Sequence, residues 1–298
     1  MQAIQQWGIE FIVSLQSMGT PVWDNFFSFV SHLGAGGYLL VIPLFIWCIE
    51  PRLGLRALLA MMISQYIVML LKDIVHEPRP FLADARIISN GEHGYSFPSG
   101  HAMGSMVFYG LIALWTQKPW LKWSLLALIF FIGLSRNYLG VHYPHDVIVG
   151  WLLGIIYLWG WFKLQRGVEQ RYHRLPFSLQ LLTALFIPAL VGSIHNAVFD
   201  YPYALAISGA VSATLLCMIA ERNKPLLSAE GSGLQKIGRF LVGSALLLLS
   251  LILVRQLQPE TPGLLQDSSI WFTGALLVIV IGYLAPRVFV ILKLSPRK

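Results

Sequence analysis

What most constrains this chain is a succession of long apolar runs with almost no ionisable residue inside them. Crossing the hydrocarbon core of a bilayer takes about 17 to 25 mostly apolar residues in a helix. Lipid offers the backbone no hydrogen-bond partners, so spanning segments must be helical or close into a barrel. Nine runs are placed near 33–49, 56–75, 100–116, 121–138, 145–163, 177–197, 203–220, 238–257 and 270–291. The expected fold is all-α, a polytopic transmembrane helix bundle of about nine spans. Residues 4–17 and 22–32 are too short or too polar to span, and are expected to lie at the interface as amphipathic helices. Composition agrees: of 298 residues 56% are hydrophobic and only 12% charged, against about a quarter charged in a soluble domain.

The net charge of +7 raises the question of nucleic acid, and the position of the charges answers it. Lys and Arg accumulate in cytoplasmic connections between spans. One alternate set of loops and span ends holds Arg52, Arg56, Lys118, Lys122, Lys163, Arg166, Arg171, Arg174, Arg222, Lys224, Lys236, Arg239, Arg287, Lys293, Arg297 and Lys298, sixteen of the 21 basic residues. The opposite face keeps only Lys72, Arg79, Arg86, Arg136 and Arg255. The excess is therefore topological, and nucleic acid is not an expected partner. This arrangement expects the N-terminus outside and the C-terminus in the cytoplasm. The start of the chain has no positive segment ahead of its short apolar stretch and does not read as a cleaved signal peptide. Cys48 and Cys217 fall in apolar runs and are expected to be packing residues.

Ionisable residues leave the spans after about residue 175. The expected organisation is an N-terminal interfacial pair of helices (1–32), a working core (33–163) and added spans (177–298). Three polar stretches of the core sit at the non-cytoplasmic ends of its spans: KDIVHEPRP (72–80), FPSGH (97–101) and SRNYLGVHYPHD (135–146). Charged groups at membrane depth are costly and mark function by default. Lys72 ends one span, and Pro78 and Pro80 hold the chain extended around Arg79. Lysine offers a point charge and arginine a bidentate fork, a pairing suited to phosphate. Ser99 is placed to cap the helix after it, where Gly100 lets the backbone approach an anion and His101 falls in the first turn.

His142 and Asp146, four residues apart, are spaced for the carboxylate to hold one imidazole nitrogen while the other points outward as a nucleophile. Such a pair can also be structural or ligate a metal. Three permanent cations near one point favour an oxyanion over a divalent ion. His145 is expected to face elsewhere on the helix, and His76 and His93 to be loop residues. His195, Asn196 and Asp200, at the end of an added span, are expected to form a solvated loop.

The three stretches resemble the tripartite signature of the type-2 phosphatidic acid phosphatase superfamily, which includes glucose-6-phosphatase and the vanadium haloperoxidases. Lys72 with Arg79-Pro80, then Pro98-Ser99-Gly100-His101, then Ser135-Arg136 with His142 and Asp146 match it in order and spacing. The resemblance covers about residues 22–163. It implies a phosphatase of a lipid phosphate monoester or pyrophosphate, with the bilayer and a phosphorylated lipid as partners. His142 would attack phosphorus, Asp146 would orient it, and His101 would protonate the leaving oxygen. Lys72, Arg79, Ser99, Gly100 and Arg136 would hold the phosphate, with no metal or organic cofactor. Candidate substrates are phosphatidic acid, phosphatidylglycerol phosphate, a polyprenyl pyrophosphate, a sphingoid-base phosphate and a lipid A phosphate. The span count keeps open a sugar-phosphate phosphatase of the glucose-6-phosphatase type, and a non-catalytic phosphate-lipid binder or transporter is a further alternative. The expected location is the inner membrane of a bacterium with the site facing the periplasm or exterior, or the lumen of the endoplasmic reticulum in a eukaryote.

Overall fold

A computed structural model of the chain describes residues 2–226, 228–257 and 263–296. Arg297 and Lys298, counted above among the cytoplasmic cations, lie outside these. Among the described residues there are helices and connections but no strands. The helices are α1 (Gln2–Ser17), α2 (Pro21–Leu33), α3 (Tyr38–Leu44), α4 (Pro51–Val75), α5 (Pro80–Ala83), α6 (Gly100–Trp115), α7 (Pro119–Tyr138), α8 (Pro144–Arg174), α9 (Phe177–Phe199), α10 (Tyr203–Asn223), α11 (Gly233–Leu257), α12 (Leu264–Ile279) and α13 (Ala285–Ile291). Single π-helical turns at Phe45–Ile49 and Val280–Leu284 follow α3 and α12.

Seven of these segments are long and apolar enough to cross a membrane: α4 running on to Ala83, α7, α8, α9, α10, α11, and α12 running through to Ile291. The two remaining expected spans are shorter than the sequence implied. The run at 33–49 begins as a turn at Gly34–Gly37, carries Pro43 inside α3 and widens into the π turn. Helix begins only at Tyr38, after that turn, and ends at Ile49, where Glu50 is extended before Pro51, so the segment is too short to span. Helix α6, in place of the run at 100–116, is apolar but ends after 16 residues, at Thr116.

The chain forms two compact units, Met1–Tyr38 with Ser64–Gln165, and Leu39–Ile63 with Arg166–Lys298. The first holds all three polar stretches. In it α6, α7 and α8 approach closely because glycines remove side chains where helices meet. A Cβ on Gly150 of α8 would lie 2.8 Å from the Ser99 carbonyl oxygen and 2.9 Å from Ala102 Cβ. That contact sets the start of α6 against α8, and the Ser99 N–H donates to the Asp146 carbonyl at 3.1 Å. Helix α2 packs on α7, with Phe27 stacked on Tyr138 at 4.4 Å between ring centres.

The second unit is organised by backbone approach and by one buried cation. Arg239 is fully buried and donates to the carbonyls of Trp47 (2.8 Å), Leu294 (2.9 Å), Ser228 and Glu230. Cys48 and Cys217 are free and buried, as their apolar surroundings imply. His195 and Asn196 are not in a solvated loop. They lie within α9, where His195 is buried against Phe199 and Asn196 donates to Asp267 at 3.3 Å, while Asp200 ends the helix in the left-handed region (φ 51°). An apolar helix continuing to Phe199 carries them inward.

Replacing Gly150 with Ala should lower the melting temperature of the detergent-purified protein, since its Cβ meets backbone that cannot step aside, a cost of about 1–3 kcal/mol. Gly160, with no atom within 4 Å of a Cβ, is the control: Gly160→Ala should not lower it. Equal melting of the two variants would contradict the packing described.

Candidate active site

Each reactive side chain sits at a helix end or in a turn that the local sequence dictates. Arg79 is extended (φ −74°, ψ 151°) immediately before Pro80, which starts α5. Lys72 lies in the last turn of α4. Ser99 caps α6 and its hydroxyl oxygen accepts from the Ala102 N–H at 3.4 Å. A hydroxyl used as acceptor keeps its own proton to donate. The leading amides of α6, those of Gly100 and His101 among them, have no partner within the helix and carry its positive dipole end.

Helix α7 ends at Tyr138, and the chain reverses through Gly140 in the left-handed region (φ 68°), where a Cβ would fall 2.8 Å from the Ile88 carbonyl. That reversal brings His142 back over the end of α7. Its N–H points to the Arg136 carbonyl at 3.3 Å, and its carbonyl accepts from Asn137 Nδ2 at 2.9 Å. Pro144 then starts α8 and places Asp146 in its first turn.

The Asp146 carboxylate is fully buried. Its Oδ2 accepts from the Tyr143 N–H (2.8 Å), from the Ser96 hydroxyl, and from His142 Nδ1 (3.3 Å). With Nδ1–H directed at Asp146, the lone pair of His142 is on Nε2, which lies 3.4 Å from Arg79 Nη1. Burial, reinforced by Lys72, Arg136 and Arg79, holds the His142 imidazole well below its ordinary 6.5. The ring is therefore uncharged at neutral pH, with a lone pair on Nε2. His101, half-buried on α6, stands within electrostatic range of Arg136, Arg79, Lys72 and His142.

The cations converge as the sequence implied. Arg79 and Arg136 are only 3% and 5% exposed, so their charges depend on partners within the protein. Arg79 donates from Nε to the Gly94 carbonyl, from Nη2 to that of His93 and from Nη1 to that of Val141, each at 2.9 Å. Lys72 donates to the carbonyls of Tyr95 and Ser96. Arg136 gives one nitrogen to Ser31 of α2 at 2.5 Å, while its buried Nε–H has no partner. One carboxylate joins the two guanidiniums: Glu92 Oε2 lies 2.8 Å from Arg79 and 2.5 Å from Arg136.

The structure thus brings together all eight residues singled out in the sequence. It also adds Ser31, Ser96, Glu92, Asn137 and the pair Glu77 and His145. Asn137 and Glu77 lie inside the quoted stretches and Ser96 adjoins one, so proximity made them available as candidates. Glu92 is one acid in a polar loop, and nothing local marks it. His145 does not face away. Its Nε2 lies 3.1 Å from Glu77 and 3.4 Å from Asp146 Oδ1, because Glu77, itself held by Gln5 at 2.8 Å, draws the ring inward. Glu77, His145 and Asp146 offer ligand atoms within 4.8 Å of one another, a spacing able to hold a metal ion, although the imidazole already bridges both carboxylates. His76 is exposed with its ring against Tyr95, and His93 contributes only its carbonyl to the site.

The profile of the PAP2 superfamily matches residues 53–169, and that of the PAP2 superfamily phosphatase transmembrane extension matches residues 205–297. Sphingosine-1-phosphate phosphatase 1 of Rattus norvegicus is 32% identical over 164 residues, 50% of this chain and 38% of that protein. The match thus spans little more than a third of that relative's length. Phosphatidylglycerophosphatase B of Bacillus subtilis is 31% identical over 159 residues, 49% of this chain and 74% of that protein. The crystal structure of Aquifex aeolicus LpxE, 30% identical, covers 50% of this chain and 90% of its own at a TM-score of 0.46.

Burial keeps the His142 ring uncharged below the ordinary histidine value, so activity that depends on its lone pair should survive acidification past that value. The acid limb of kcat/KM, corrected for ionisation of the substrate phosphate, should lie below pH 6.5. A limb at or above 6.5 would mean that His142 is not shielded as described.

Proposed function

We propose, from the premise that the chain belongs to the PAP2 superfamily, that it hydrolyses a lipid phosphate monoester or pyrophosphate through a phosphohistidine formed on His142. The observation that carries this reading is the His142 ring itself. One nitrogen is held by a buried carboxylate, and the other directs its lone pair beside Arg79 in a pocket of three cations.

In the first step His142 Nε2 attacks phosphorus in line. The P–O bond to the lipid breaks, and His101 protonates the departing oxygen. In the second step His101 accepts a proton from water, the resulting hydroxide attacks phosphorus, and the P–N bond breaks to release phosphate. Asp146 holds the ring in register and balances the imidazolium that forms on it. Lys72, Arg79, Arg136, the Ser99 hydroxyl and the Gly100 N–H bind the three equatorial oxygens. Phosphoryl transfer asks a protein mainly for positioning and for positive charge, and here fixed cations supply what a metal supplies elsewhere. We read the reaction as metal-independent.

Two features favour a lipid over a soluble ester. The reactive groups sit at the ends of apolar helices, where acyl tails stay in the bilayer while the head group reaches the cations. Sphingosine-1-phosphate phosphatase and phosphatidylglycerophosphatase B are both named for lipid phosphates. The charge asymmetry of the loops supports a site facing away from the cytoplasm, toward a periplasm or the lumen of the endoplasmic reticulum.

A phosphate-release panel tests the reading. In detergent with EDTA present, the purified protein should release phosphate from phosphatidic acid, phosphatidylglycerol phosphate or a polyprenyl pyrophosphate at least about tenfold faster than from sugar phosphates, a difference of about 1.4 kcal/mol in transition-state binding. Equal rates would remove the lipid assignment, and complete loss in chelator would remove the metal-free one.

A further inference from the structure

Glu92 takes the place that a substrate oxygen would take. Its Oε2 is shared between Arg79 at 2.8 Å and Arg136 at 2.5 Å, and its side chain is 34% exposed while the two arginine side chains are 4% and 6% exposed. The carboxylate thus reaches from the surface into a buried fork. It is carried on a short segment between Gly91 and Gly94, both in the left-handed region (φ 77° and 74°), with no atom within 4 Å of a Cβ at either. Arg79 holds the backbone of the segment through the His93 and Gly94 carbonyls, so it is the Glu92 side chain, with open space around the glycines beside it, that can swing out of the fork.

Charge decides what can displace it. Arg79 and Arg136 carry two positive charges that do not titrate away, Lys72 is balanced by Asp146, and Glu92 offsets one of the two guanidiniums. A phosphodiester monoanion entering the fork would only replace the charge that Glu92 already supplies. A phosphomonoester dianion or a pyrophosphate offsets both. In a poorly hydrated site that difference dominates binding, because an exchange of equal charges gains nothing over the resting state. The distinction matters to a site opening on a membrane, since phosphodiester lipids there greatly outnumber any monoester and would otherwise fill a cradle of three cations.

We propose that Glu92 is a specificity-determining residue, a resident carboxylate that occupies the Arg79–Arg136 fork and yields only to phosphates carrying two or more negative charges. This rests on the reading above that the same two arginines hold the transferred phosphoryl group. Glu92 competes equally with every anion, so it sets a threshold: dianions clear it, and the diester lipids of the bilayer do not. The buried Arg136 Nε–H, which Glu92 leaves without a partner, is a donor held for the incoming group.

The test uses two soluble anions as competitive inhibitors of the full-length enzyme in detergent: inorganic phosphate as the dianion and dimethyl phosphate as the diester monoanion. Wild type should be inhibited by inorganic phosphate and not by dimethyl phosphate. In Glu92→Gln the inhibition constant for inorganic phosphate should fall about tenfold or more, the scale of a lost charge-assisted bond, and dimethyl phosphate should become a measurable inhibitor. Glu92→Asp, whose shorter carboxylate reaches the fork less well, should fall between the two. Weaker phosphate binding by Glu92→Gln, with its melting temperature unchanged, would overturn the proposal by making Glu92 a pin for the arginines. So would equal inhibition of wild type and variant by dimethyl phosphate. Arg136→Gln separates the two readings. If it weakens inhibition by inorganic phosphate while Glu92→Gln changes nothing, only the threshold fails. If Arg136→Gln leaves that inhibition unchanged, the phosphoryl cradle itself is wrong.

Discussion

Two guanidiniums and an ammonium gathered at one buried point repel one another, and each loses water on the way in. The rest of the first unit can be understood as what makes that arrangement tolerable. Hydrogen bonds to carbonyls satisfy donors but do not cancel charge, and the second unit shows the difference. Arg239 is buried at least as deeply, and four backbone carbonyls complete it. Arg79 and Arg136 also use neutral acceptors, yet they share a carboxylate, and Arg136 keeps a donor unspent. A lone buried cation can be structural. Two that lean on one half-buried acid and retain an open N–H fit the proposed role of binding an anion that comes and goes.

The nucleophile depends on the same field. Burial alone would make His142 neutral, and the surrounding cations strengthen that preference, so the free ring carries its lone pair at neutral pH. In the proposed phosphohistidine the ring becomes cationic, and only there does the contact with Asp146 become a full ion pair. The carboxylate is itself fixed by Ser96 and the Tyr143 N–H, and its second oxygen faces His145. Interactions that strengthen as the covalent bond forms lower the barrier more than those present from the start.

Much of this was legible in the sequence because the relevant signals are local. Apolar run length marks helices, Pro144 and Ser99 mark helix starts, and the four-residue step from His142 to Asp146 predicts their contact. Three cations among loops otherwise poor in them pointed to one locality, and the structure brings Lys72, Arg79 and Arg136 within electrostatic range of one another. Arg86, a fourth, has a different local reason, ion pairs with Asp84 and Glu10. What escaped depends on contacts distant in the chain. Glu92 meets Arg136 across 44 positions, and Ser31 meets it across 105, so neither leaves a trace in spacing. His145 was misjudged for the same reason, since Glu77, 68 residues earlier, decides where its ring points. The apolar run at 33–49 differs: hydropathy sums over a segment, whereas the glycine turn before α3 and Pro51 after it act at single positions.

The central claim is that phosphorus passes through a covalent bond to His142 before water reaches it. Each in-line displacement inverts the configuration at phosphorus, so two in succession restore it. The direct measurement is hydrolysis of a lipid phosphorothioate made chiral with oxygen isotopes, carried out in isotopic water, followed by determination of the configuration of the released thiophosphate. Net retention is the result this account predicts, and net inversion would show that water attacks the substrate directly and that His142 never carries the phosphoryl group.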